Sequence, residues 1–201
     1  MHQPPAFVQT DPAKVRAVIA ENSFGVLATH GPGGLEASHL PFLLCPGEGE
    51  LVLEGHLAAA NRQAAAVRGG GEALAIFQGP HAPISPAWYA TRPAVPTWDY
   101  VAVHVHGVLE VVEGPALVAL MRRQGASDPE GFTLDSVPGP LLEKLLGAIV
   151  GFRLRARHVE AQWKLSQNRS EADRRGVVAG LRSRNANSVA DLVAATLSSA
   201  D

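Results

Sequence analysis

Cysteine is almost missing from this chain. Its 201 residues include one, Cys45, so no disulfide can form within the chain and a disulfide-stapled scaffold is excluded. Cys45 is followed by Pro46, has no activating base beside it in sequence, and reads as structural. Neither sign of charge is in excess: Lys and Arg number 17 against 19 Asp and Glu, a net charge of −2. A strongly electrostatic nucleic-acid binder would carry a basic surplus. No apolar run approaches the roughly 20 residues of a membrane span. The opening MHQPPAFVQT also lacks the charged-then-apolar order of a secretory leader. The expectation is a soluble, cytoplasmic protein with no membrane role. A hydrophobic fraction of 46% excludes general disorder, and the length suffices for one substantial domain.

Catalytic signatures are missing as well. Ser38 and His39 are adjacent on a strand-like run and face opposite sides, so they cannot form a nucleophile–base pair. No paired-carboxylate pattern stands out. Gly31-Pro32-Gly33-Gly34 joins two strands and Gly69-Gly70-Gly71 follows a helix, so neither is a strand-to-helix phosphate loop. The residues name no chemical step.

What is present is β-rich. A helix is expected over about Pro12 to Glu21, capped by Thr10 or Asp11, with Val15, Val18 and Ile19 as its apolar stripe. Strands follow over 23–30, Leu35 to Leu44 and Leu51 to Gly55, linked by Gly/Pro turns as an antiparallel meander; Pro41 suits an edge or a bulge. An Ala-rich helix is expected over about Ala58 to Val67, then a short strand over Ala73 to Phe77. From Ile76 to Gly107 the chain is rich in proline and aromatics, including Trp88, Trp98, Tyr89 and Tyr100, and reads as a stiff wall for a flat ligand or partner. Val101 to Val112 is the clearest strand, with Val101, Val103, Val105, Leu109 and Val111 on one face. Helices over about Pro115 to Arg123 and Leu141 to Gly147 precede a last strand from Ile149. Its apolar phase shifts by one residue near Arg157 and His158, the mark of a bulge or bend. Ser170 with Asp173 and Ser188 with Asp191 are capping-box patterns for two closing helices. The fold class is mainly β with peripheral helices (α+β): an antiparallel barrel of about six strands, closed or split, over 1–168, with a helical extension over 169–201 packed on it.

Two clusters invite chemistry. His104 and His106 share a strand face and suit a metal, but no further ligand set accompanies them, and a polar strand face accounts for them. Arg153, Arg155 and Arg157 form a basic stripe that reads as a solvated face rather than a DNA contact, since no helix-turn-helix accompanies it. The corner Gly55 to Arg62 admits two readings: a phosphate held at a helix start by His56, Asn61 and Arg62, or a simple corner with a buried histidine.

The blocks ENSFGVLATH (21–30), SHLPFLL (38–44), GHLAAAN (55–61), AIFQGPHAPISPAWY (75–89), AVPTWDYVAVHVHG (94–107) and GFRLRARHVEAQWKLSQNRS (151–170) together resemble the PaiB family of FMN-binding negative transcriptional regulators. The resemblance implies a split β-barrel, shared with flavin reductases and pyridoxamine-phosphate oxidases, and a homodimer with FMN at the subunit interface. It implies an FMN phosphate near His56, Asn61, Arg62 and Lys164, and a flavin ring against the backbone of His39, Leu40 and Pro41 and of Phe77, Gln78 and Gly79. Trp98 would come from the second subunit, and Ser166, Gln167 and Asn168 complete the last block. A flavin-dependent oxidoreductase, or a haem-binding relative of the same fold, is the alternative. Direct DNA contact has no recognisable motif.

Overall fold

Asp11 starts the first helix, α1 (Pro12–Glu21): its Oδ1 accepts the N–H of Ala13 at 2.9 Å, and Val15 and Ile19 are buried along one stripe. The computed structural model describes residues 1–31, 33–47, 49–126 and 128–197, so Pro32 and Glu48 of the expected turns lie outside the described residues. After α1 come β1 (Phe24–Gly31), β2 (Gly34–Pro41), β3 (Leu43–Leu44), β4 (Val52–Ala58), α2 (Ala64–Arg68), β5 (Glu72–Ile84) and β6 (Thr97–Val112). The chain continues with α3 (Gly114–Gly125), α4 (Gly139–Gly147), β7 (Ile149–Lys164), α5 (Glu171–Arg182) and α6 (Asn187–Ala195). Among the described residues no helix is long and apolar enough to cross a membrane.

Among the described residues the strands form one sheet in the order β2-β1-β5-β6-β7-β4-β3, seven strands where about six were expected. The seventh arises because the predicted strand over Leu35 to Leu44 breaks at Phe42. Before the break β2 pairs with β1, Phe24 opposite Pro41; after it β3 pairs with β4, Leu43 opposite Glu54. One residue therefore separates the two edges of the sheet, which places the edges side by side and curls the sheet into a split barrel. Phe42 fills that seam. Its N–H donates to Ser23 O at 2.8 Å, and its buried ring meets Phe77 and Phe152 edge-on, with centroids 5.1 and 5.9 Å away.

The Pro-rich segment is more regular than its composition suggests. Much of it extends β5 and β6, leaving residues 85–96 and the short helical turn Pro86–Trp88 as the connection. Val111 is exposed and Val112 buried, so the inward phase of β6 slips at its end. In β7 the expected shift is present: Val150, Phe152 and Leu154 are buried, Arg157 and His158 exposed, and Ala161 and Trp163 buried in the opposite phase.

The chain divides into two compact units, 1–21 with 78–103 and 160–201, and 22–77 with 104–159. In the first, α5 packs on α6 and on the Pro86–Trp88 turn. Gly176 and Gly180 make room there, since a Cβ would lie 2.0 Å from Trp88 O and 2.2 Å from Trp88 Cδ2. Ser170 Oγ caps α5 by accepting the N–H of Asp173, but the Asp173 carboxylate turns instead to the N–H of Thr91 at 2.8 Å. Ser188 lies inside α6 and caps nothing. In the second unit, Val112, Leu117 and Leu120 form a cluster with Leu146 and Ile149.

Candidate functional site

The second unit gathers His39, Leu40, Pro41, His56 and Asn61 around one open cleft of about 460 Å³, together with Ser38, Leu57, Ala58 and Ile149. Strand geometry sets its walls. β2 is an edge, so half of its backbone N–H and C=O groups point away from β1. β4 pairs with β7, Ala58 opposite Ile149, and carries His56.

The corner after β4 differs from the sequence expectation. Pairing with β7 holds residues to Ala58 extended, so tertiary contacts override alanine's helix propensity and α2 begins only at Ala64. With five residues and no side-chain cap, α2 offers no helix start for a phosphate beside His56. Asn61 builds the corner instead. Its Oδ1 accepts the N–H of Gln63 at 2.9 Å, and its Nδ2 donates to Ser38 Oγ at 3.0 Å, which ties the turn to β2. His56 Nδ1 lies 2.9 Å from Gln124 Oε1 on α3, a contact that sets the orientation of the ring. Arg62 is exposed and pairs with Glu36 at 3.0 Å.

Beneath the corner lie groups that pattern reading overlooked. Gln63 is fully buried; its Nε2 donates to Leu27 O and Thr29 Oγ1, both at 3.0 Å, fastening α2 to β1. Glu54, two residues before His56 on the same strand face, is 1% exposed and takes Arg153 at 2.5 Å and also Arg123 of α3. Burial alone would raise its carboxyl; hydrogen bonds from Arg153 and Arg123 outweigh that and hold it below the ordinary glutamate value. Glu54 and His56 thus share α3 as a support. The signal was a lone Glu between apolar neighbours, directly opposite Arg153. The arginine stripe proves to be paired: Arg155 with Glu110 and Glu50, Arg157 with Glu72.

Phe77 is also in the second unit but points into the core against Phe42. The remaining expected residues fall in the first unit. Gln78 Nε2 lies 3.2 Å from His81 Nδ1, and Gly79 sits close against Val101. Trp98 is exposed beside His81. Lys164 Nζ donates to Thr97 Oγ1 at 2.9 Å and to Trp98 O, and stands 3.6 Å from Asp99. Ser166 is buried at φ 59° and donates to Asp99 Oδ2 at 2.7 Å. Burial pushes the Asp99 carboxyl above the ordinary aspartate value, against the opposing effect of Ser166 and Lys164.

The cleft of the second unit suits a flat group with an anionic tail. Leu40, Pro41, Leu57 and Ile149 give apolar wall, the β2 edge gives backbone donors and acceptors, and Ser38, His56 and Asn61 give polar side chains; among the described residues no carboxylate lines it.

Residues 1–158 match a family model described as "Putative FMN-binding domain". The chain is 34% identical over 200 residues, 96% of each protein, to the protease synthase and sporulation protein PAI 2 of Bacillus subtilis. Among solved structures it is similar to the conserved hypothetical protein Rv2991 of Mycobacterium tuberculosis (TM-score 0.59, 20% identity, 85% of this chain and 95% of the other). It is also similar to an FAD- and haem-binding protein of Mycobacterium smegmatis (TM-score 0.54, 15% identity, 78% and 72%). At such identities the two structures speak to the fold, which is the split barrel. On the family match and the PAI 2 relative together, this chain belongs to the FMN-binding domain family.

Proposed function

We propose that the chain binds FMN in the cleft between β2 and β4 and acts in negative transcriptional regulation as a homodimer. The observation that carries the cofactor placement is the cleft itself: an edge strand and an apolar wall beside a donor set free of carboxylates. In this reading Ser38, His56 and Asn61, with Arg62 at the rim, hold the phosphate by donated hydrogen bonds, and the backbone of His39 to Pro41 flanks the ring. Bound FMN supplies electron-transfer chemistry at its ring. The chain's part is to anchor the phosphate, hold the ring on β2 and keep the His56 imidazole in place through Gln124.

The regulatory half of the proposal rests on the likeness to PAI 2 and on the family resemblance. It does not run through the β7 arginines, whose guanidiniums are engaged by Glu54, Glu110, Glu50 and Glu72. Regulation then acts through a partner or a metabolite. Trp98 and Lys164 belong to the proposal only through the second protomer of the dimer.

Titration of the apoprotein with FMN, followed by quenching of flavin fluorescence, tests the placement. Ser38→Asp puts a carboxylate against the phosphate and should weaken binding by about tenfold or more. An unchanged midpoint in a folded variant would remove the phosphate from this cleft.

A further inference from the structure

The first unit holds a second hollow, of about 440 Å³, none of whose residues lines the cleft between β2 and β4. Trp88, Trp98 and three prolines line it, with Ser85, Thr97 and Arg184 as polar members and, among the described residues, no carboxylate. It is built rather than incidental. Trp88 is seated over Gly176 and Gly180, where any larger residue would displace it. Ser85 Oγ accepts the N–H of Ala87 to cap the Pro86–Trp88 turn, leaving its own O–H to donate. Trp98 is 53% exposed, a large apolar surface left in water. The Arg184 guanidinium lies 5.7 Å from the centre of the Trp88 ring, and among the described residues no carboxylate pairs with it.

We propose that this hollow binds a small planar aromatic carboxylate. The ring lies against Trp88 and Trp98, and the carboxylate takes the fork of Arg184 and the O–H of Ser85. The occupant is aromatic because two indoles and three prolines offer flat apolar walls. It is an anion because the hollow's side chains offer donors and one unpaired cation. It is small because the volume admits one or two fused rings. The inference is separable from the flavin proposal: Ser85 and Arg184, which hold the carboxylate here, have no part in that reading, and either can fail alone.

Isothermal titration calorimetry of the full-length protein with naphthoate, naphthamide and cyclohexanecarboxylate tests it. Saturable binding of naphthoate is expected, with naphthamide and cyclohexanecarboxylate each weaker by about tenfold or more. Arg184→Gln should weaken naphthoate to the level of the amide. Arg184→Lys, which keeps the charge and loses the fork, should fall between. FMN titration midpoints should stay unchanged in both. Absence of saturable heat, equal affinity for acid and amide, or wild-type affinity in Arg184→Gln would each overturn the proposal.

Discussion

Replacing Glu54 by Gln removes one buried charge and leaves the shape of the β4–α3 contact intact. The wild-type carboxylate is 1% exposed, while its partners Arg153 and Arg123 are 34% and 46% exposed. Breaking a fully buried pair costs about 3–5 kcal/mol, and an exposed pair contributes about 0.2–1 kcal/mol. Here the carboxylate is buried but the guanidiniums reach water after its charge is lost, so the cost falls between, at about 2 kcal/mol. For a chain of this size that lowers Tm by roughly 4–8 °C. The pH dependence follows from the depressed Glu54 carboxyl. Its stabilisation is present above the ordinary value of 4.5 and is lost as pH falls through the lower folded-state value. Thermal melts followed by circular dichroism at neutral pH and below pH 4.5 measure both effects. The gap between wild type and Glu54→Gln should be widest at neutral pH and close on acidification. A variant as stable as wild type, or a gap constant with pH, would refute the account of this cluster.

Other perturbations probe different links. Gly180→Ala gains about 1 kcal/mol of helix propensity but drives a methyl into the Trp88 ring, so a net loss of about 1–2 kcal/mol in chemical denaturation is expected; a stabilised variant would contradict the fit of α5 against Trp88. Phe42→Ala empties the barrel seam and should cost about 3–5 kcal/mol by the same measurement; a loss under 1 kcal/mol, on the order of a surface change, would mean the seam is not packed. Fluorescence anisotropy with duplex DNA at physiological salt should show no saturable binding, because the arginines of β7 are engaged; tight, salt-sensitive binding would restore direct DNA contact.

Much of the sheet was legible because half-buried strands alternate. The β7 phase shift and the edge position of β2 could both be read from apolar spacing and Pro41. The split of one expected strand at Phe42 could not, since nothing local distinguishes a residue that bridges two sheet edges from one inside a strand. The Ala-rich corner misled for a related reason: pairing of β4 with β7 is a long-range contact that outweighs local helix propensity at Ala58. The role of Gly176 and Gly180 was not legible either, because Trp88, for which they make room, lies far away in sequence. Of the expected site residues, His39 to Pro41, His56 and Asn61 line one cleft, whereas the contacts of Ser38, Gln63 and Glu54 are made with neighbours that only the fold supplies. Lys164 was expected near the phosphate from the family resemblance; its partners Thr97, Trp98 and Asp99 could not be read from the sequence.

The most direct test of the central claim compares FMN with riboflavin, which differ by the phosphate alone, on the apoproteins of wild type and His56→Ala. Wild type should prefer FMN, and His56→Ala should erode that preference by about tenfold while leaving riboflavin affinity near its wild-type value. An undiminished preference for FMN in His56→Ala would contradict the placement of the phosphate beside β4.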